Sequence, residues 1–149
     1  YHKDITVLGI YDGRQTHTFI RPNIPKDFIM DLFRNSKILV TFNGLSFDMP
    51  IIQKYFQVNI EKPHLDLRHA FAKIGLTGGL KNIEKELGVK RQDEVDGMSG
   101  ADALVLWSKY RKTGDERFLE LLVKYNEEDI VNLKGLAEYC YQELTKSVV

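Results

Sequence analysis

Residues 38–52 read ILVTFNGLSFDMPII: a strand-length apolar run, Ile38 to Phe42, halts at Asn43-Gly44, and a helix-like segment follows Pro50. An unbroken apolar run of that length is expected of a strand covered on both faces. Asn-Gly is a turn dipeptide, because both residues tolerate left-handed backbone. Past the turn a single carboxylate, Asp48, stands between Phe47 and Met49. A charge leaving a buried strand in apolar company must be solvated, paired or bound to a cation, since burying it alone is too costly. Helix capping is the plainest alternative, as Asp48 precedes Pro50 and Asp is a favoured N-cap.

Upstream, Ile5–Tyr11 (ITVLGIY) and Arg14–Ile20 (RQTHTFI) are β-branched and aromatic runs flanking Asp12-Gly13. That pattern predicts a tight type I′ hairpin. After Pro22, Phe28, Ile29, Leu32 and Phe33 share a helical face, with Pro25 placed in the first turn. Downstream, short helices are expected over 50–55, over 65–71 and around Leu80, Ile83 and Leu87, the last stopped by Gly88. Ala101–Tyr110 reads as a helix offering Leu104, Leu106 and Trp107 for burial. From Asp115 to about Lys146 the periodicity stays helical, and a run of that length predicts a break near Asn126 or Gly135. Strands first and helices after imply one α/β domain over residues 1–149, a mixed sheet flanked by helices.

With 149 residues, 43% hydrophobic and 28% charged, the chain has material for one globular core. No apolar run approaches the roughly 20 residues of a membrane span, and no secretory leader is evident. A single cysteine, Cys140, excludes an internal disulfide and argues against a cysteine-based zinc site. A soluble, cytoplasmic protein with no membrane partner is the expectation. The formal net charge of zero gives no global field toward nucleic acid. That does not exclude a nuclease, which can hold its substrate through metal ions and a local basic rim.

A second stretch, KYNEEDIVNL at 124–133, places Tyr125 and Asp129 four residues apart, on one helical face. Alone, this is a helix-surface pair whose neighbours Glu127 and Glu128 face solvent. Joined, the two stretches say more. F-N-G-x-x-F-D-x-P after an apolar strand, followed about eighty residues later by Y-x-x-x-D, resembles the DEDD 3′-5′ exonucleases, the DnaQ-like enzymes of ribonuclease-H fold. The tyrosine is similar to that of the DEDDy branch, which includes proofreading domains of family B DNA polymerases and small stand-alone relatives. The likeness extends through HLDL (64–67), LKNIEKELGVKR (80–91) and DGMSGADALVLWSKYRKTGD (96–115).

The resemblance implies hydrolysis of nucleic-acid phosphodiesters at single-stranded DNA or RNA 3′ ends. It further implies two divalent cations, Mg²⁺ or Mn²⁺, held about 4 Å apart by oxygen ligands. On that footing Asp48 and Asp129 are catalytic metal ligands, and Tyr125 orients or helps deprotonate the attacking water. A free phenol, with an ordinary pKa near 10, leaves most of that activation to the metals. Asn43 would position the substrate, although an Asn-Gly turn accounts for it equally well.

One departure from the family stands out. Its first two acids come from a D-x-E on the opening strand, and no D-x-E precedes Asn43 here. Asp4-Ile5-Thr6 is the nearest look-alike, and threonine brings no carboxylate. Ile5–Tyr11 with its hairpin resembles the family's second strand, which would put the absent motif just before Tyr1, and the non-methionine start agrees. The expectation is therefore a ribonuclease-H-like fold lacking its first strand, with weak cation binding and little or no nuclease activity. Strand edges left open would favour self-association. The rival reading is a catalytically inactive nucleic-acid-binding or interaction module of the same fold. An endonuclease or resolvase of that fold shares the acids but not the Tyr-Asp pair.

The remaining polar clusters have plainer assignments. His64 and His69, flanking Asp66, are expected to pack and hydrogen-bond locally, since their spacing suits no zinc motif. Lys109, Arg111 and Lys112 beside Tyr110 read as a solvated helix end. Asp93, Glu94 and Asp96 read as a solvated loop, and Trp107 as core.

Overall fold

The computed structural model describes residues 4–146, so Tyr1 and the position adjoining the expected D-x-E lie outside it. Strand β1 (Val7–Tyr11) pairs antiparallel with β2 (Thr16–Ile20), Val7 opposite Ile20 and Tyr11 opposite Thr16. The connection is therefore Asp12–Gln15, longer than the tight turn its Asp-Gly predicts. The cause is the Asp12 carboxylate, which accepts from the amides of Arg14 at 2.8 Å and Gln15 at 2.9 Å and from His17 Nε2 at 3.0 Å. The Asp12 amide also donates to the Gln15 carbonyl at 3.2 Å, so this Asx turn leaves Gly13 and Arg14 at the tip, one residue later than Asp12-Gly13.

Helix α1 (Lys26–Asn35) follows, with Pro25 at its N-cap. Strands β3 (Leu39–Thr41) and β4 (His64–Asp66) pair in parallel, and α2 (Asp48–Phe56) lies between them in sequence. β3 is shorter and more open than its apolar run suggests: all three residues are half-buried and Ile38 is 50% exposed. β4 occupies the start of a segment read from sequence as helix 65–71. Three residues carry too little propensity to decide, and the hydrogen-bonding edge of β3 decides for them. Helix α3 is confined to Leu67–Ala72, and α4 spans Leu80–Glu86.

Helix α5 (Gly100–Thr113) opens on a capping box of Ser99 and Asp102. It buries no residue fully, and Leu104, expected in the core, is 71% exposed; Leu106 and Trp107 are half-buried. The last helix, α6 (Glu116–Lys146), runs unbroken for 31 residues, against the expected interruption. Gly135 costs about 1 kcal/mol of helix propensity, but its neighbours Leu133, Leu136 and Cys140 are buried. Tertiary packing thus carries the helix through its weak point.

Alternation along the strands locates the two cores. Leu8 of β1 and Leu39 of β3 face one core, built with Ile24, Ile29, Met49, Ile52 and Phe56 from the α1 and α2 side. Their neighbours turn the other way. Val40 packs on a second core of Leu67, Phe71, Leu80, Ile83, Leu133, Leu136 and Cys140, and Gly9 lies under α6. Both strand pairs thus form a middle layer between helices, an α/β architecture as the chain's pattern implies. Among the described residues they remain two pairs, β1 with β2 and β3 with β4, instead of one continuous sheet. No described helix is long and apolar enough to cross a membrane.

Gly9 has a particular role. A Cβ there would overlap Asn126 Oδ1 and lie 2.9 Å from Ile130 Cδ1. Only glycine lets α6 come this close to β1, bringing the 125–129 turn of α6 down beside the strands.

Candidate functional site

β3 delivers the chain into a turn at Asn43, whose φ is 65°, and at Gly44, where a Cβ would overlap the side chain of Thr41. The Gly44 amide donates to Thr41 Oγ1 at 3.0 Å. The turn is then fixed from below by Asp66, 4% exposed at the end of β4. Its carboxylate accepts from the amides of Asn43 (2.7 Å), Leu45 (3.2 Å) and Arg68 (3.1 Å), the last of these capping α3. One buried acid so ties the turn to the neighbouring strand.

Asp48 comes immediately after this clamped turn, as the first residue of α2. Phe47 is the N-cap, and no side-chain cap bond is made, so capping is not what Asp48 does. The residue as a whole is exposed, but its carboxyl is partly enclosed by protein. Loss of solvent, and then the negative charges of Asp129 and Asp66, raise its pKa above the ordinary carboxylate value. Asp48 and Asp129, distant in sequence, therefore sense each other in the fold.

Asp129 stands one turn beyond Tyr125 on α6. The tyrosine is 6% exposed, with Lys81 Nζ 4.7 Å and Arg91 Cζ 5.5 Å from its ring centroid. The same two cations hold Asp129 Oδ1: Lys81 Nζ at 3.0 Å and Arg91 Nη2 at 2.6 Å. Behind them, buried Arg91 makes a two-point contact to buried Glu84, Nε to Oε1 at 2.9 Å and Nη2 to Oε2 at 3.1 Å. Asn132 Nδ2 donates to Glu84 Oε2 at 2.9 Å. Burial by itself would lower the pKa of Arg91, but its bonds to Glu84 and Asp129 outweigh that and raise it.

Of the four site residues expected from sequence, Tyr125 and Asp129 stand one turn apart on α6, and the charge of Asp129 bears on Asp48 at the head of α2. Asn43 contributes its amide to Asp66 and shapes the turn leading there. His64 bonds Thr41 Oγ1 at 2.7 Å, with its pKa lowered by burial against the opposing charge of Asp66. His69 Nε2 lies 3.6 Å from Asp66 Oδ2. Glu127 and Glu128 do more than face solvent. The first accepts from Thr18 Oγ1 at 3.4 Å, and the second accepts from the Gln92 amide at 3.1 Å. Lys124 reaches Glu94 at 3.3 Å, so the loop after Arg91 is pinned to α6. At the end of α5, Lys109 and Arg111 lie over the rings of Phe118 and Trp107, at 5.6 and 5.9 Å.

Sequence reading overlooked Asp66, Lys81, Glu84, Arg91 and Asn132. Two of them carried a signal. Asp66 sits between Leu65 and Leu67, as Asp48 sits between Phe47 and Met49. Glu84 falls inside the apolar stripe of Leu80, Ile83 and Leu87, where an acid requires a partner.

Asp48 and Asp129 offer carboxylate oxygens of the kind a hard divalent cation takes, but Lys81 and Arg91 already pair with Asp129. The set is sparse. Among the described residues no group of three or more His, Cys, Asp or Glu is arranged to hold a metal ion. Compared with models of protein families, residues 1–141 match the RNase H superfamily. No curated protein and no solved structure matches the chain.

Proposed function

The chain belongs to the RNase H superfamily, a nuclease-like fold that processes nucleic acid, and on that premise we propose that it is a metal-dependent 3′-5′ exonuclease domain acting on single-stranded DNA or RNA ends. The reading is supported by the family match together with Asp48 at the head of α2, whose pKa is raised first by loss of solvent and then by the charges of Asp129 on α6 and of Asp66. These two carboxylates would hold Mg²⁺ or Mn²⁺. Bound there, a pair of such cations would supply activation of the attacking water and neutralisation of the leaving 3′ oxygen.

The chain's own groups have distinct tasks in this reading. Tyr125, one turn before Asp129, orients the water through its phenol. Asn43 contacts the terminal nucleotide. Leu45 and Phe47, 51% and 62% exposed beside Asp48, offer an apolar lip on which an unpaired base can stack. Two carboxylates make an incomplete ligand set, so cleavage by these 149 residues alone should be weak. Open strand edges at the two pairs would accept a further strand or a second copy of the chain.

The test is incubation with Mn²⁺ and 5′-labelled single-stranded DNA, beside Asp48→Ala. A ladder shortening from the 3′ end in the unsubstituted chain alone supports the proposal; shortening that persists in Asp48→Ala removes Asp48 from the mechanism. A second reading, a non-catalytic nucleic-acid-binding module, is favoured by one observation: Lys81 and Arg91 already neutralise Asp129. Its signature would be DNA retention without metal, no ladder, and indifference to Asp48→Ala.

A further inference from the structure

We infer that the outer face of α5 is a self-association surface, on which a second copy of the chain lays its own α5 antiparallel about a two-fold axis beside Val105. Ala103, Leu106, Trp107 and Tyr110 recur at helical spacing and form the half-buried face of α5, whose main packing partner is α6. The opposite face carries Ala101, Leu104, Val105, Ser108 and Lys112, all exposed. Leu104 at 71% and Val105 at 51% are adjacent apolar side chains that the described chain leaves to water.

The charges beside this pair select the occupant. Asp102, Val105 and Lys109 lie on one side of the helix and together line a groove of about 390 Å³ shared with Leu121 of α6. Asp102 comes three residues before Val105 and Lys109 four after it. An antiparallel second copy with its axis at Val105 therefore sets Asp102 of each chain opposite Lys109 of the other. The same operation brings the two Val105 side chains together and lays Leu104 over Ser108, a residue small enough to admit it. A parallel pairing would oppose Asp102 to Asp102 and Lys109 to Lys109. Antiparallel helices also bring the start of each beside the end of the other, which suits their dipoles. Both charges are held in advance. Asp102 Oδ2 accepts from the Ser99 amide at 2.9 Å and from its Oγ at 3.1 Å, and Lys109 Nζ lies 5.6 Å from the Phe118 ring centroid. Groups already restrained lose less freedom when they pair. A formal net charge of zero leaves no global repulsion between copies. One helix face is a small interface, so a weak dimer is expected, with a Kd on the order of 10–100 µM.

The test is sedimentation velocity over about 5–500 µM protein, a range that brackets this Kd, on the unsubstituted chain, Leu104→Glu and Lys109→Glu. Thermal melting of each confirms folding. The unsubstituted chain should pass from monomer to dimer, Leu104→Glu should stay monomeric, and Lys109→Glu, which turns two attractive pairs repulsive, should weaken association at least about tenfold. Val105→Cys should form a disulfide-linked dimer on mild oxidation, and Lys85→Cys, exposed on α4, should not; native Cys140 is buried and stays out of the reaction. A chain monomeric throughout would overturn the inference. So would a dimer that survives Leu104→Glu, which would assign association to the open strand edges, or equal cross-linking of both cysteine variants. Single-stranded DNA retained by a monomer and released by Lys109→Glu would give the face to nucleic acid and overturn it too. If Leu104→Glu fails to fold, Lys109→Glu and Val105→Cys decide.

Discussion

Asp48 and Asp66 are both acids set between apolar neighbours, and their surroundings give them opposite effects on the fold. Asp66 is supplied with three backbone amides and holds the 43–45 turn in place. Asp66→Ala leaves those donors to water or to nothing; a loss of about 2 kcal/mol is expected, or roughly 4–8 °C in melting temperature. An unchanged melting curve would refute the clamp. Asp48 has acquired acidic neighbours and partial enclosure instead, and its folded pKa is raised. Between the ordinary carboxylate pKa and that higher folded value the folded state retains a proton the unfolded state has lost. Stability contributed by this group therefore falls as pH rises through the interval, and stays at its lower level near neutrality. Asp48→Asn should remove that penalty. A rise in melting temperature at pH 7 of under about 4 °C is expected, the scale of 1 kcal/mol in a domain of this size, because solvent screens an exposed residue. The same variant should lose Mn²⁺ binding. A lower melting temperature would mean that Asp48 stabilises the fold, contrary to a strained ligand.

At the scale of elements, the approach of α6 to β1 governs where Tyr125 and Asp129 stand. Gly9→Ala places a methyl into Asn126 and Ile130, and overpacking of this kind costs about 1–3 kcal/mol. Thermal melting should show the loss, and Mn²⁺ affinity should fall with it as α6 is displaced; full stability in the variant would show that the helix can withdraw freely. The β1–β2 connection gives a separate pH reading. Hydrogen bonds from Gln15, His17 and Arg14 lower the Asp12 pKa to about 2. The support this acid gives the turn is complete above the ordinary carboxylate pKa and is lost as pH falls toward about 2. A carboxyl NMR titration of Asp12 should place its midpoint there, and a midpoint at the ordinary value would rule out the Asx turn.

Across the whole molecule, the two cores divide the labour. One gathers β1, α1 and α2 and supports the helix that starts at Asp48; the other gathers α3, α4 and α6 and supports Lys81, Glu84 and the Asp129 turn. Asp48 and Asp129 thus stand on elements rooted in different cores. Cys140 reports on the second core: it is 1% exposed and burial pushes its thiol pKa up. A thiol reagent should label it only as fast as the core opens, with rates rising in denaturant. Prompt labelling of the native chain would mean that the α6 packing is looser than these contacts indicate.

How much of this was legible in advance follows the range of the forces involved. The hairpin, α1, the ILVTF strand, the turn at Asn43-Gly44 and the helical character of the last thirty residues were readable, because periodicity, turn dipeptides and glycine conformations act within a few neighbours. By the same local logic the chain marks Asp48 as an acid needing a partner and sets Tyr125 and Asp129 on one helical face. Four outcomes were left to tertiary structure. β4 exists because β3 offers it an edge; α6 runs through Gly135 because its neighbours are buried; Asp48 begins a helix it does not cap. Last, Asp129 meets Lys81 and Arg91 because α4 and the loop after it fold back onto α6. Each depends on contacts between residues tens of positions apart, where burial and charge pairing outweigh local preference, and no local spacing encodes which distant side chain an acid will meet.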